Sequence, residues 1–395
     1  MASLTDRKIP TRWIVLLGLV AARLAFGFQI QSLAALSDGY LKDTGFSNTE
    51  FGVLLGIFLA PGIFLALPGG ALAQRFGDQL VITTSLVVMI FASSIAALYD
   101  GYWAMAISRL LSGTGCVMIT VSATKTVVDW FAGKEISTAM AVNLTGYPAG
   151  IALALAVLAP FSTADEWQFA FWIVTALTAF CLLVFVLSFR DNPDIAAVQS
   201  ISSFPNRRET RLIILIGLVW ASVNGAFLIM LGFMPSFLID HGMTATEAGF
   251  LVSMGPMAGM LAVPVGGILA DRIRKPALFI YGGNSAWALL VLAIIPLADW
   301  YLAVGILLFV AAFLSAPAAG PIVASTAEVS RPEVRGPALG IFFTIFYAGS
   351  VIAPPLAGWS IDKTGSIETA IYLIPGSLVI GLIAYSFFLY GKSRV

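Results

Sequence analysis

Three basic side chains lie within long apolar runs of this sequence: Arg23, Arg109 and Lys125. A cation at the centre of a bilayer costs roughly 2.5–3.5 kcal/mol on the gentlest insertion scales, so each must face protein, water or a ligand rather than lipid. Arg23 falls near the middle of the run from Trp13 to Leu36, and no Asp or Glu occurs within such runs away from their ends. An apolar-walled cavity holding an uncompensated guanidinium favours an anion, because a carboxylate accepts a bidentate, charge-assisted pair from it. On this reading the missing counter-ion is the substrate.

Each cation also has a plainer use. Arg23 could instead donate to backbone carbonyls at a helix break near Gly18 or Gly27. Arg109 shares a helical face with Gly113, Cys116 and Thr120, a small-residue stripe equally suited to lining a cavity or packing a helix. Lys125 points to nearly the opposite side, one turn before Asp129, and reads as snorkelling or pairing there. The second half of the chain has no basic counterpart to Arg23, since matching LLGLV at Leu16 to LIGLV at Leu215 puts Ser222 opposite it. Its polar candidates are Trp220, Asn224, Asn284 and Tyr347, the last roughly equivalent to Tyr147. The candidate substrate-binding set is therefore Arg23, Arg109, Gln31, Tyr147, Asn224 and Tyr347, with the first half holding the charged end of a substrate and the second its body. Glu50 and Glu247 read as capping-box residues, in Ser47-x-x-Glu50 and Thr244-x-x-Glu247, rather than proton carriers.

The elements that must position these groups are membrane helices. Of 395 residues, 59% are hydrophobic and 11% charged, against roughly 45–50% and 25% in soluble domains. About 20 apolar residues cross a bilayer, and the sequence offers twelve such runs, near 13–36, 50–73, 80–98, 102–127, 137–161, 168–189, 211–239, 247–270, 276–297, 301–325, 337–360 and 368–390. Sixteen Lys and Arg fall in one set of loops and only Lys42 and Lys363 in the other, which puts both termini in the cytoplasm. The basic segment before the first run does not look like a signal peptide, so that run reads as a retained helix. Cys116 and Cys181 lie inside apolar runs and suggest no disulfide framework.

The polar stretch Arg190 to Thr210 divides the chain into a six-helix bundle at 1–190, a cytoplasmic linker at 191–210 and a second bundle at 211–395. A shift of 197 residues supports the division, laying Gly45, Thr49, Glu50, Gly52 and Gly62 onto Gly242, Thr246, Glu247, Gly249 and Gly259. The repeated unit ends in GGALAQRFGD (Gly69 to Asp78) and GGILADRIRK (Gly266 to Lys275). Self-similarity at half the chain length marks a duplicated architecture, usual in transporters whose site lies between the halves.

These motifs resemble the major facilitator superfamily, whose loop after the second helix carries Gly-x-Leu-Ala-Asp-Arg-x-Gly followed by basic residues. The second copy matches through Gly267, Leu269, Ala270, Asp271 and Arg272; the first departs, with Gln74 at the acid and Asp78 at a base. Arg109-Leu-Leu-Ser-Gly113-Thr-Gly115 and Gly146-Tyr-Pro148-Ala-Gly150 extend the resemblance to that superfamily's fourth- and fifth-helix patterns. It implies an all-α membrane protein with twelve transmembrane helices in two pseudo-symmetric six-helix bundles, working by alternating access. The order of Arg23, Gly70 to Arg75, Arg109, Asp129-Trp-Phe and Gly146 to Gly150 is most similar to small-anion carriers of the cyanate and nitroimidazole type, then to organic-anion and nitrate/nitrite branches. Asn143 stands alone where nitrate carriers are Asn-Gly-rich, which argues against nitrate. The resemblance implies a gate built from Arg75, Asp129, Asp271, Arg272 and Glu328, with Asp129 and Glu328 pairing to Arg75 and Arg272 across the repeat.

The expectation is a monomeric carrier of a small anion in a bacterial inner membrane, in contact with lipid and not with nucleic acid. A multidrug or neutral-compound exporter of the same fold is the alternative; cationic drugs would want buried acids that the runs lack. A single histidine, His241 in a loop, and no spacing such as His-Glu-x-x-His argue against an enzyme, and no metal or cofactor is expected.

Overall fold

The computed structural model describes residues 11–66, 68–131, 135–163, 165–190, 204–273 and 275–393. Of the basic residues behind the orientation reading, Arg7, Lys8, Lys134, Arg274 and Arg394 lie outside these, as do linker residues 191–203 and the side chains of Gln74 and Asp271.

Among the described residues, twelve helices are long and apolar enough to cross a membrane. They are α1 Thr11–Ala35, α2 Asn48–Leu65, α3 Asp78–Leu98, α4 Tyr102–Phe131, α5 Thr138–Phe161, α6 Trp167–Ser188, α7 Arg207–Asp240, α8 Ala245–Ile273, α9 Pro276–Leu297, α10 Tyr301–Glu328, α11 Arg335–Thr364 and α12 Glu368–Ser393. Their ends follow local chemistry. Ser47 and Glu50 close a capping box on α2, and Thr244 with Glu247 does so before α8. Asn206 Oδ1 accepts from the Arg208 and Glu209 amides at 3.0 and 2.9 Å, while Glu209 accepts from the Asn206 amide at 2.7 Å. This further box starts α7 at Arg207, inside the stretch read from sequence as linker. Proline interrupts two spans: α2 turns at 58–60 ahead of Pro61, and α10 passes through a 3₁₀ turn at Ala316–Ala318 around Pro317.

The helices form two six-helix bundles. In the first, α1 packs on α5 and α6, and α3 on α4 and α6; in the second, α7 packs on α11 and α12, and α9 on α10. Two seams join them, α2 against α11 and α5 against α8, with a lighter contact of α1 with α7. Both seams lie toward the face opposite the termini, the far face. There Cβ atoms at Gly52 and Gly358 would come within 2.4 Å of the Pro354 carbonyl and 1.9 Å of the Asn48 carbonyl, so backbone meets backbone. Asp362, near the far end of α11, accepts from the amides of Asn48 and Thr49 at 3.0 and 2.8 Å and from both their side chains, capping α2 from the other bundle. Toward the terminal face the charged groups pair within a bundle: Lys125 with Asp78 and Asp129, Glu209 with Arg331, and Glu328 with Lys392.

Candidate substrate site

Arg23 sits midway along α1, and its surroundings follow from glycine. A Cβ at Gly146 would stand 2.9 Å from Arg23 Cβ, one at Gly150 2.1 Å from the Leu24 carbonyl oxygen, and one at Gly27 2.0 Å from the Tyr147 carbonyl oxygen. Helices α1 and α5 therefore touch through their backbones beside Arg23, closing that side to anything larger than hydrogen. On α4, Nη2 of Arg23 donates to Thr124 Oγ1 at 2.8 Å and the Thr120 carbonyl at 3.4 Å. The residue is 4% exposed, its Nε is buried without a partner, and no acid lies within salt-bridge distance among the described residues. A guanidinium carries five N–H donors; among the described residues only Nη2 finds acceptors.

Arg109 of α4 is as deeply buried, but each of its three nitrogens has a partner. Its Nη1 donates to the Gln29 carbonyl at 2.8 Å, Nη2 to Ile30 at 2.9 Å and Nε to Leu54 at 3.3 Å, and its guanidinium lies 4.3 Å from the Phe58 ring centroid. These contacts tie α4 to α1 and α2. The stripe beside it packs rather than lines: Gly113 meets the Phe58 carbonyl, and Cys116 Sγ lies 3.9 Å from Met89 Sδ. Gln31 donates to the Leu231 carbonyl at 3.1 Å and so joins α1 to α7 across the bundles.

Tyr147 packs on Phe26, with ring centroids 4.7 Å apart, and Tyr347 on Phe346 at the same separation. Tyr347 also lies over Gly62 of the other bundle, where a Cβ would meet its ring at 2.3 Å, and it is close enough to Arg23 to interact electrostatically. Asn224 donates to the Trp220 carbonyl at 2.8 Å. The geometry thus brings Arg23, Tyr147 and Tyr347 together, leaves Asn224 beside Trp220, and assigns Arg109 and Gln31 to helix contacts.

Asp129, Glu328, Arg75 and Arg272, read from sequence as gate residues, lie toward the terminal face. Lys125 bridges Asp78 at 2.7 Å and Asp129 at 3.0 Å, Glu328 holds Lys392 at 2.6 Å, and Arg75 and Arg272 are exposed. Asp78 is buried because Gly77, with φ of +83°, turns the chain sharply between the short helix Gly69–Phe76 and α3.

The family model for the Major Facilitator Superfamily matches residues 15–316 and, in a second match, 232–394. The chain belongs to the Major Facilitator Superfamily. It is similar to the hexuronate transporter of Bacillus subtilis strain 168, 21% identical over 365 residues covering 86% of this chain and 85% of the relative. It is likewise similar to the 3-(3-hydroxy-phenyl)propionate transporter of Escherichia coli strain K12, at 24% identity over 98% of this chain and 96% of the relative. A third relative is the quinolone resistance protein NorA of Staphylococcus aureus strain MRSA252, at 22% identity over 87% and 88%. Among solved structures, a bacterial homologue of the human lysosomal transporter Spinster, in an inward-facing and occupied conformation, shares the fold with a TM-score of 0.76, 15% identity and 98% coverage of each chain.

Within this Major Facilitator fold two residues escaped sequence reasoning. Gln29 donates to the Met89 carbonyl and Thr178 Oγ1, each at 3.1 Å, and accepts from Ser112 at 3.1 Å, joining α1 to α3, α4 and α6. Its signal was a polar residue inside an apolar run. Asp362 had no comparable local signal, because its partners stand more than 300 positions away.

Proposed function

We propose that this chain is an alternating-access carrier of small organic anions, with Arg23 as the primary anion ligand. The observation that carries the reading is a buried guanidinium whose hydrogen bonds among the described residues go to neutral groups of α4, with its Nε unpartnered among them. A buried charge lacking a counter-ion costs several kcal/mol, and a substrate carboxylate offsets that cost while gaining a charge-assisted pair. The hexuronate and hydroxyphenylpropionate transporters among the relatives point the same way.

Tyr147 and Tyr347, one from each bundle, contact the substrate beside Arg23, while Arg109 positions α1 and α2. With the termini cytoplasmic, as the basic loops imply, this conformation is closed outward, sealed by the α2–α11 and α5–α8 seams. Regrouping of Asp129 and Glu328 with Arg75 and Arg272 would accompany closure on the cytoplasmic side. Among the described residues no acid lies within salt-bridge distance of Arg23 to carry a proton, so coupling proceeds by exchange, by facilitated diffusion, or with a proton on the substrate's own acid group.

The likeness to a quinolone resistance protein favours a second reading, export of neutral drugs through the same cavity. A thermal-shift screen of mono- and dicarboxylates and neutral drugs, run on wild type beside Arg23→Ala, separates the two. A ligand at 100 times its Kd stabilises by about 2.7 kcal/mol. Anions that shift wild type and not the mutant support the carrier; neutral compounds that shift both equally overturn it.

A further inference from the structure

The walls around Arg23 carry chemistry that the anion reading does not use. Phe26, one turn along α1 from Arg23, packs on Tyr147 with centroids 4.7 Å apart. From the second bundle, Tyr347 packs on Phe346 at 4.7 Å, and Trp220 stands 6.4 Å from Phe346. Phe26, Tyr147, Trp220 and Phe346 all lie near the middle of their helices and are only partly buried, each with ring surface left uncovered. The second bundle brings rings and an amide to this wall where the first brings a cation.

Polar capacity open to a ligand at the same depth is small. Asn143 and Ser350, one turn from Tyr147 and Tyr347, lack partners but are 0% exposed and offer a ligand no surface. Among the described residues, every nitrogen of Arg109 donates to a carbonyl and Lys125 Nζ donates to two carboxylates, which leaves Arg23 as the buried cation with an unpartnered nitrogen. Thr124 Oγ1 already donates to the Thr120 carbonyl, and the Asn224 amide nitrogen to Trp220. The hydroxyls of Tyr147 and Tyr347 make no hydrogen bond among the described residues and are free for one or two substituents. A polyhydroxylated acid would bury several hydroxyls here without partners, and a dicarboxylate would bury a second charge against rings.

Resting on the anion-carrier reading, we propose that the site selects monocarboxylates bearing an aromatic ring, with the carboxylate on Arg23 and the ring between the Phe26–Tyr147 and Trp220–Phe346 walls. Offset and edge-on ring packing adds to area burial, and flat rings slip between walls that a puckered ring does not fit as closely.

The test is calorimetric binding to the purified full-length chain with five probes: phenylacetate, cyclohexylacetate, phenylacetamide, glucuronate and succinate. Wild type is compared with Arg23→Ala and Phe346→Leu, each first shown to melt like wild type. Phenylacetate should bind at least tenfold tighter than glucuronate or succinate and several-fold tighter than cyclohexylacetate. Phe346→Leu should narrow the gap between the two ring acids, and Arg23→Ala should weaken binding of both by about 100-fold. Glucuronate or succinate binding as tightly as phenylacetate, and lost in Arg23→Ala, overturns the aromatic preference while leaving the anion carrier intact. Phenylacetamide binding as well as phenylacetate, unchanged in Arg23→Ala, overturns the anion reading and this inference with it. Absence of phenylacetate binding at millimolar concentration also overturns the inference.

Discussion

Arg109 and Arg23 stand on helices of the same bundle, 2% and 4% exposed. Arg109 directs Nε, Nη1 and Nη2 at carbonyls of two neighbouring helices and rests on a phenyl ring. Arg23 gives one nitrogen to a threonine and a carbonyl, and its Nε meets nothing. Burial alone therefore does not separate a structural cation from an available one. Saturation, meaning a partner for every nitrogen or oxygen, does: a guanidinium with each nitrogen spent on backbone has little left for a ligand, and one with a nitrogen spare is under a standing electrostatic cost that a bound anion removes.

The largest effect is expected at the saturated site. Arg109→Ala removes three hydrogen bonds from between α1, α2 and α4 and should lower stability by about 3 kcal/mol, on the scale of a lost buried charged hub. Arg109→Lys should recover little of it, because one ammonium lacks the planar fork that reaches both helices. Thermal melts in detergent report both. A normal melt for Arg109→Ala with transport lost would make Arg109 a ligand and erase the contrast.

Arg23→Ala should do the opposite. Relief of an unpaired buried charge keeps the melt at or above the wild-type value, while substrate affinity falls about 100-fold, or about 2.8 kcal/mol at 1.4 kcal/mol per decade. Equilibrium binding beside the melt gives both quantities from one preparation. A collapsed melt with unchanged affinity in the folded fraction would place Arg23 with Arg109.

Sequence made the helices legible because each is a long apolar run with local stops: the run at 102–127 is Tyr102–Phe131, and that at 211–239 is Arg207–Asp240. The capping boxes at Ser47 and Thr244 were legible for the same reason, their partners being three residues away. So was the i,i+4 pair of Lys125 with Asp129. The partners of Arg109 were not, since backbone carbonyls are present at every position and leave no mark in a sequence. The break at Ala316–Ala318 was written in Pro317 but masked by the apolar residues around it. That Arg23 lacks an acid could be read from composition, whereas its seat against α5 depends on how Gly146 and Gly150 meet α1.

Asp362 carries the contrast over to an anion. It accepts from the amides and side chains of both Asn48 and Thr49, so it is a saturated charge and should behave like Arg109. Asp362→Ala removes the outside cap of α2 and should cost about 1–2 kcal/mol, on the scale of a lost N-cap with its dipole interaction. Hydrogen exchange at the start of α2 should quicken by about tenfold for each 1.4 kcal/mol lost. Unchanged exchange there would mean that the Gly52 and Gly358 backbone contacts hold the seam without it.

The smallest effect is the finest probe of saturation. Thr124 supplies the one side-chain acceptor that Arg23 uses, at 2.8 Å, and its hydroxyl is itself anchored to the Thr120 carbonyl. Thr124→Val keeps the shape and removes the acceptor, worth roughly 1 kcal/mol when the donor is charged but the partner neutral. If Thr124 holds the guanidinium in a ligand-ready rotamer, KM should rise several-fold with little change in kcat or melt, because the anion must then order the side chain as it binds. If Thr124 instead competes with substrate for Nη2, affinity should rise by a similar factor. Either shift in affinity leaves Arg23 an unsaturated group awaiting an anion; a drop in the melt as large as that of Arg109→Ala, with affinity unmoved, would show that one threonine is enough to make it structural.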